Sequence, residues 1–211
     1  MVQLKVSRKL FLKKSVEDVW QVISSKKSLE LFHPFCSKNK VISWGDVKVD
    51  ELVYLNGLTF IREFTAWNPN QGFELTIGKR NGKKSKVRWE ITSSKSGCIL
   101  SISIWPYKSS KIPTILYPLV NVFIVRPKLK KYLGFVLKGL NFYLTHKTVV
   151  KKNQFGSHSW FSWTSQITCF NHLTIVDKRN LLIGQANKWL IKIQRIINQC
   201  QMRIGLWKIP Q

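Results

Sequence analysis

The stretch Pro127 to Thr145, PKLKKYLGFVLKGLNFYLT, limits what this chain can fold into more than any other. Leu129, Leu133, Val136, Leu140, Tyr143 and Leu144 recur at helical spacing, and Tyr132 and Leu137 widen the stripe. Lys128, Lys130, Lys131, Lys138 and Asn141 fall largely on the other side. The pattern predicts an amphipathic helix of about five turns, roughly 28 Å long at 1.5 Å per residue. Pro127 suits its first turn, where a missing N–H costs nothing. Such a stripe must be covered, and the preceding sequence offers one surface to cover it.

That surface is a sheet. Val2, Leu4, Val6, Leu10 and Leu12 alternate with polar residues, with Arg8 interrupting the apolar set. Ser15-x-x-Asp18 has the form of a capping box opening a short helix on Val16, Val19, Trp20 and Ile23, and a second short helix spans Ser28 to Phe32. His33-Pro34-Phe35 then turns the chain back. Six further strands are expected at Val41–Trp44, Val47–Leu55, Leu58–Trp67, Phe73–Ile77, Val87–Thr92 and Leu100–Trp105. Their links are Gly45-Asp46, Asn56-Gly57, Asn68-Pro69-Asn70, Asn81-Gly82 and Ser96-Gly97, all too short for parallel crossovers. At Asn56-Gly57 both residues tolerate positive φ, which favours a tight hairpin. The expected class is α+β: seven antiparallel strands against one long helix.

Charge is the unusual bulk property. Residues 1–90 carry 17 bases and 9 acids, whereas residues 91–211 carry 18 bases and Asp177 as their one acid, for a formal net charge of +25. Such a field favours an anionic partner, whether an acidic membrane surface, an acidic protein or nucleic acid. Lys outnumbers Arg 27 to 8, so the residue bias of an A/T-rich coding sequence is the competing explanation. The basic tracts Lys83-Lys84-x-Lys86-x-Arg88, Lys128-x-Lys130-Lys131 and Lys151-Lys152 are not interleaved with aromatics as a base-stacking platform is, so nucleic acid is the least favoured partner. Beside the second tract, Ile112 to Val125 is nearly apolar but too short to span a bilayer, and the pair together suits an anionic membrane surface. The N-terminus lacks the apolar core of a signal peptide and the four cysteines are scattered, so reduced thiols in a cytoplasm are expected, with peripheral membrane association as the extension.

Strand, two short helices, six antiparallel strands and a long helix is an order that resembles the START-like superfamily: SRPBCC proteins, polyketide cyclase/dehydrase relatives and birch-pollen-allergen-like proteins, with the helix-grip fold. The resemblance covers residues 1 to about 147. It rests on Ser15-Val16-Glu17-Asp18-Val19-Trp20, His33-Pro34-Phe35, the Asn56-Gly57 hairpin, and Tyr132-Leu133 through Tyr143. Val149 to Ser162, with Asn153-Gln154-Phe155-Gly156 and Trp160-Phe161-Ser162, resembles the tail of one bacterial branch of such proteins. The division expected is a helix-grip domain at 1–147 and a C-terminal extension at 148–211. In the latter Leu182, Ala186, Trp189, Ile193, Ile196, Ile197, Cys200 and Ile204 form a second amphipathic stripe with basic flanks.

The resemblance implies a mostly apolar cavity between sheet and long helix, with a few placed polar groups. In the Leu58–Trp67 strand, Leu58, Phe60, Phe64 and Ala66 share a face and Arg62 is in phase with them, able to meet a carboxylate, phosphate or enolate with a bidentate fork. Glu63 takes that place if the register slips by one. Arg8 holds a similar in-phase position in the first strand, and His33, Tyr54, Trp89 and Tyr143 are further candidate cavity-lining residues, each more simply explained as core packing. His33-x-x-Cys36 with Cys169-x-x-His172 could in principle assemble a zinc site of two Cys and two His, but the pairs lie more than 130 residues apart, which disfavours it. No phosphate-cradling loop, dinucleotide fingerprint or nucleophile elbow is present, so no metal or cofactor is expected. The leading expectation is a carrier of a hydrophobic small molecule or lipid. The alternatives are a polyketide cyclase/dehydrase-type enzyme, which needs a general acid or base within reach of substrate, and a basic adaptor for an acidic partner.

Overall fold

The structure, a computed structural model, describes residues 4–108, 113 and 116–162. The strands are β1 (Val6–Leu12), β2 (Cys36–Trp44), β3 (Lys48–Tyr54), β4 (Thr59–Asn68), β5 (Gly72–Gly78), β6 (Lys84–Ser94) and β7 (Gly97–Trp105). The helices are α1 (Val16–Ile23), α2 (Leu29–Phe32), α3 (Tyr117–Val120) and α4 (Arg126–His146). All neighbours in the sheet are antiparallel, in the order β1-β7-β6-β5-β4-β3-β2. The chain therefore meanders from β2 to β7, and β1 closes onto β7 with Val6 opposite Ile104 and Leu12 opposite Cys98. This is the expected α+β helix-grip arrangement of seven antiparallel strands and one long helix. The second amphipathic stripe, Leu182 to Ile204, lies outside the described residues.

Alternation places Leu52 and Tyr54 of β3, Leu75 of β5, Val87 and Trp89 of β6 and Leu100, Ile102 and Ile104 of β7 in the core, where they meet α4. On α4 the buried set is Leu129, Tyr132, Leu133, Val136, Leu137, Leu140 and Leu144, the stripe its spacing predicted, while Tyr143 is half-buried. Each such aliphatic side chain taken from water contributes about 2 kcal/mol. Ser15 caps α1 by accepting from the Asp18 backbone N–H at 3.0 Å, and Glu17 and Asp18 complement the helix N-terminus.

Four local expectations change. The long helix does not begin at Pro127: helical backbone runs back to Tyr117 through a wider turn at Asn121–Val125, in which the Arg126 N–H reaches the Asn121 carbonyl. In regular α geometry the Pro127 ring meets the carbonyl four residues back, and the wider turn relieves that clash. β2 starts at Cys36 rather than Val41, because an edge strand can be polar along most of its length. A bulge between Phe64 and Ala66 shifts the phase of β4, so Trp67 rather than Ala66 joins the core side. At Asn56-Gly57 only Gly57 has positive φ (81°), and the Asn56 side chain instead accepts from the Leu58 N–H.

The chain does not leave the domain at Lys147. Residues 148–162 return as a strap along the α2–β2 corner: Val150 N–H donates to the Leu31 carbonyl and Asn153 N–H to the Pro34 carbonyl, both at 2.9 Å. His158, Phe161 and Ser162 are buried. No helix among the described residues is long and apolar enough to cross a membrane.

α4 passes the same corner at its closest. A Cβ on Gly139 would stand 2.1 Å from the Phe32 carbonyl oxygen, whereas one on Gly134 meets nothing within 4 Å. Two alanine substitutions in one helix should therefore act oppositely. Gly134→Ala gains up to about 1 kcal/mol from helix propensity. Gly139→Ala loses about 2 kcal/mol as the backbone is pushed away. Thermal melts of the two variants test this; equal shifts of the same sign would mean that α4 is not seated on Phe32.

Candidate functional site

Alternation along β4 aims Phe60, Arg62 and Phe64 at α4. In register, Arg62 stands opposite Asp50 on β3 and Ile77 on β5. Arg62 is 5% exposed and Asp50 1%, and Arg62 Nη1 lies 3.4 Å from Asp50 Oδ2. The Arg62 guanidinium also lies over the Phe64 ring, 5.0 Å from its centroid. Glu63 takes the outer face, where Lys84 and Thr76 bind its carboxylate. The register thus selects Arg62 over Glu63 as the interior charge.

Taking such a pair out of water costs several kcal/mol per ion unless the geometry and surrounding hydrogen bonds are good. Here they are incomplete. Arg62 Nη1, Asp50 Oδ1 and the Oδ1 of Asn39, a β2 residue 1% exposed, have no hydrogen-bond partner among the described residues. Burial raises the Asp50 pKa above its ordinary value, with the charge of Arg62 and a hydrogen bond from the Asn39 side chain acting the other way. Fully buried polar atoms left without a hydrogen bond are rare in native folds, and three of them belong to this group.

Beside this pair runs a chain of neutral donors. The Phe35 backbone N–H donates to His33 Nδ1 at 3.2 Å, which fixes the proton on Nε2; Nε2–H then donates to Tyr132 Oη at 2.9 Å. Tyr132 Oη lies 3.2 Å from Tyr54 Oη. Burial, reinforced by the charge of Arg62, lowers the His33 pKa to about 3. Burial also raises Tyr132 to about 12, Tyr54 well above its ordinary value and Cys36 to about 12. At neutral pH all four are uncharged, and Cys36 is not a thiolate nucleophile.

Aromatic rings fill the space around these groups. Phe35 stacks on Tyr132, with centroids 5.9 Å apart, and Phe161 of the strap stacks on Tyr54 at 4.3 Å and packs against Tyr132 at 4.7 Å. His158 repeats the His33 device: Trp160 N–H donates to Nδ1, and Nε2–H donates to the Lys128 carbonyl of α4 at 3.1 Å. These rings pack against one another beside Arg62, where the sequence led one to expect a cavity. Two surface clefts lie elsewhere, one between Lys13–Glu17 and Ser93–Gly97 and one between Asn68–Glu74 and Arg88–Thr92; neither is lined by Arg62 or α4.

Of the residues singled out from sequence, Arg62, Phe60, Phe64, His33 and Tyr54 belong to this interior. Trp89 is buried in the adjoining aromatic row with Phe32 and Phe73. Tyr143 is half-buried on α4 and three turns beyond Tyr132. Arg8 is not brought in: although in phase, it is exposed at the rim of edge strand β1, where its Nε donates to the Lys130 carbonyl at 3.4 Å. Asp50 was legible, being in phase with Leu52 and Tyr54, but an acid in a strand reads by default as solvent-facing. Asn39, His158 and Phe161 carried no periodic signal. Among the described residues no three His, Cys, Asp or Glu side chains cluster to hold a metal; Cys169 and His172 lie outside them.

No protein-family model matches the chain, and no curated protein does. Solved structures do. A Staphylococcus aureus protein of unknown function superposes with a TM-score of 0.58 at 11% identity, covering 68% of this chain and 94% of that one. A Thermus thermophilus protein gives 0.56 at 13% identity, covering 68% and 99%. DynU16, a protein of the dynemicin biosynthetic locus, gives 0.50 at 15% identity, covering 69% of this chain and 48% of its own. At these identities the likeness is one of fold.

Two predictions concern the interior charges. Arg62→Met strands Asp50 without its cation and should destabilise by about 3 kcal/mol or more. Arg62→Met with Asp50→Asn should recover most of that loss, and a denaturant double-mutant cycle with no coupling would mean the two do not interact. For His33, the sign follows from proton binding. Between pH 6.5 and about 3 the unfolded chain binds a proton that folded His33 does not, so this residue makes stability fall on acidification by about 1.4 kcal/mol per pH unit. His33→Gln keeps a donor for Tyr132 and removes the titration, so melts from pH 6.5 to 4 should fall less steeply in the variant. Parallel curves would show that His33 is not buried neutral.

Proposed function

We propose that this is a START-like (SRPBCC) helix-grip protein that binds a hydrophobic small molecule or lipid between the sheet and α4, with the ligand's anionic or carbonyl head against Arg62. The observation that carries the reading is the buried Arg62–Asp50–Asn39 group, an ion pair in which three polar atoms make no hydrogen bond among the described residues, inside an otherwise aromatic and aliphatic interior. Tyr54 and Tyr132, neutral and hydrogen-bonded in line with His33, supply further donors without a competing negative charge. The fold of the similar structures supports the reading, since a helix laid across a curved sheet encloses such a site. Occupancy requires the aromatic rings to yield, and in this reading Phe161, which sits on the strap rather than on the sheet, is the one that turns aside.

A second reading is a cyclase/dehydrase-type enzyme. It is favoured by Asp50, a buried carboxyl raised in pKa whose Oδ1 accepts no hydrogen bond among the described residues. The fold is also found in DynU16, from a biosynthetic locus. His33 does not serve as the base in that reading, because its Nδ1 lone pair is taken by the Phe35 N–H. The carrier reading asks for no base and is preferred.

Native mass spectrometry of the full chain purified from its own host tests both. The carrier reading expects a bound organic molecule in the wild type, lost from folded Arg62→Met/Asp50→Asn and carried unaltered by Asp50→Asn. Substrate trapped in Asp50→Asn against product in the wild type would establish the enzyme instead. No bound mass, together with no saturable uptake of a long-chain fatty acid, would overturn ligand binding altogether.

A further inference from the structure

The helical turns before α4 turn large apolar side chains to solvent. Leu116 is 42% exposed, Leu119 56%, Val122 45% and Phe123 72%, and their spacing of three and four residues puts them on one face. The opposite side of these turns is anchored, since Asn121 is 1% exposed and Val125 packs on the core. The face is therefore a fixed feature of a seated helix.

Its surroundings are cationic. Arg126, Lys128, Lys130 and Lys131 occupy the next two turns, and Lys108 lies over the Tyr117 ring at 5.3 Å. Lys83 Nζ donates to the Lys108 carbonyl at 3.3 Å, bringing the β5–β6 turn to the same end. From Ile91 to Ser162 the sequence contains no Asp or Glu, so α3, α4 and the turns between them carry no acid of their own. Isolated exposed apolar residues need no explanation, but a contiguous apolar face rimmed by charge of one sign does.

We propose that the Leu116–Phe123 face docks this protein on an anionic lipid bilayer. Phe123, Leu119, Val122 and Leu116 enter below the headgroups, and Arg126, Lys130 and Lys131 lie among the headgroup phosphates. Apolar side chains with bases on adjoining turns are what an interfacial helix presents to such a surface, where insertion and charge attraction add. The inference is independent of what the interior binds.

The test is co-sedimentation of the full chain with vesicles of phosphatidylcholine alone and with about one third phosphatidylglycerol, at low and high salt. Binding is expected only to the anionic vesicles, weakening as salt screens the charges. Leu119→Ser/Phe123→Ser should lower the partition coefficient at least about tenfold, because two large apolar groups no longer leave water, while the melting temperature stays unchanged. Three outcomes would overturn the proposal: no binding to anionic vesicles, undiminished binding by the double variant, or a wild-type dimer that the double substitution converts to monomer, since the face then covers a second copy.

Discussion

The corner from Leu31 to Phe35 is the contact on which the rest of the structure depends. Its Phe32 carbonyl leaves no space for a side chain at Gly139, which sets how closely α4 approaches. The next residue, His33, hydrogen-bonds Tyr132 two turns earlier on α4, and Phe35 stacks on the same ring. The Leu31 and Pro34 carbonyls take backbone hydrogen bonds from the strap. One short turn thus fixes the helix in height, rotation and closure, and thereby fixes which donors face Arg62.

This geometry gives the interior a definite electrostatic character. The protein carries 35 bases, yet the cation that matters to the proposed site is one arginine, held over Phe64 and half-satisfied by Asp50. The groups around it are kept neutral by burial rather than by pairing, so Arg62 and Asp50 are the charged pair of this interior, and in the proposed site they would choose a ligand's polar end. A site of this kind rewards a head group that accepts from Arg62 more than one that must give up a proton. That difference is why binding, rather than acid–base turnover, is the reading preferred.

Much of this was legible in the sequence, for reasons that also explain what was not. The α4 stripe and the two-residue period of β4 are strong signals, and they were enough to place Tyr132 on the covered face and to choose Arg62 over Glu63. Phase alone could not tell that Arg8 lies on an edge strand where the cover ends. Nor could it foresee the bulge after Phe64 that exchanges Ala66 for Trp67. The strap was harder still: His158 and Phe161 reach the site through turns held by Asn153 and Ser162, with no repeat to announce them. Phase puts Asp50 on the inner face, yet burying a carboxylate makes sense only once its arginine partner stands across the strand.

A crystal structure of the full chain purified from its own host would test the central claim most directly. The account predicts density for a small molecule whose polar end lies within hydrogen-bond distance of Arg62 and Tyr54, with Phe161 turned away from the Tyr54 ring. An interior still closed by Phe161, with Arg62 Nη1 and Asp50 Oδ1 satisfied by each other or by ordered water alone, would contradict it.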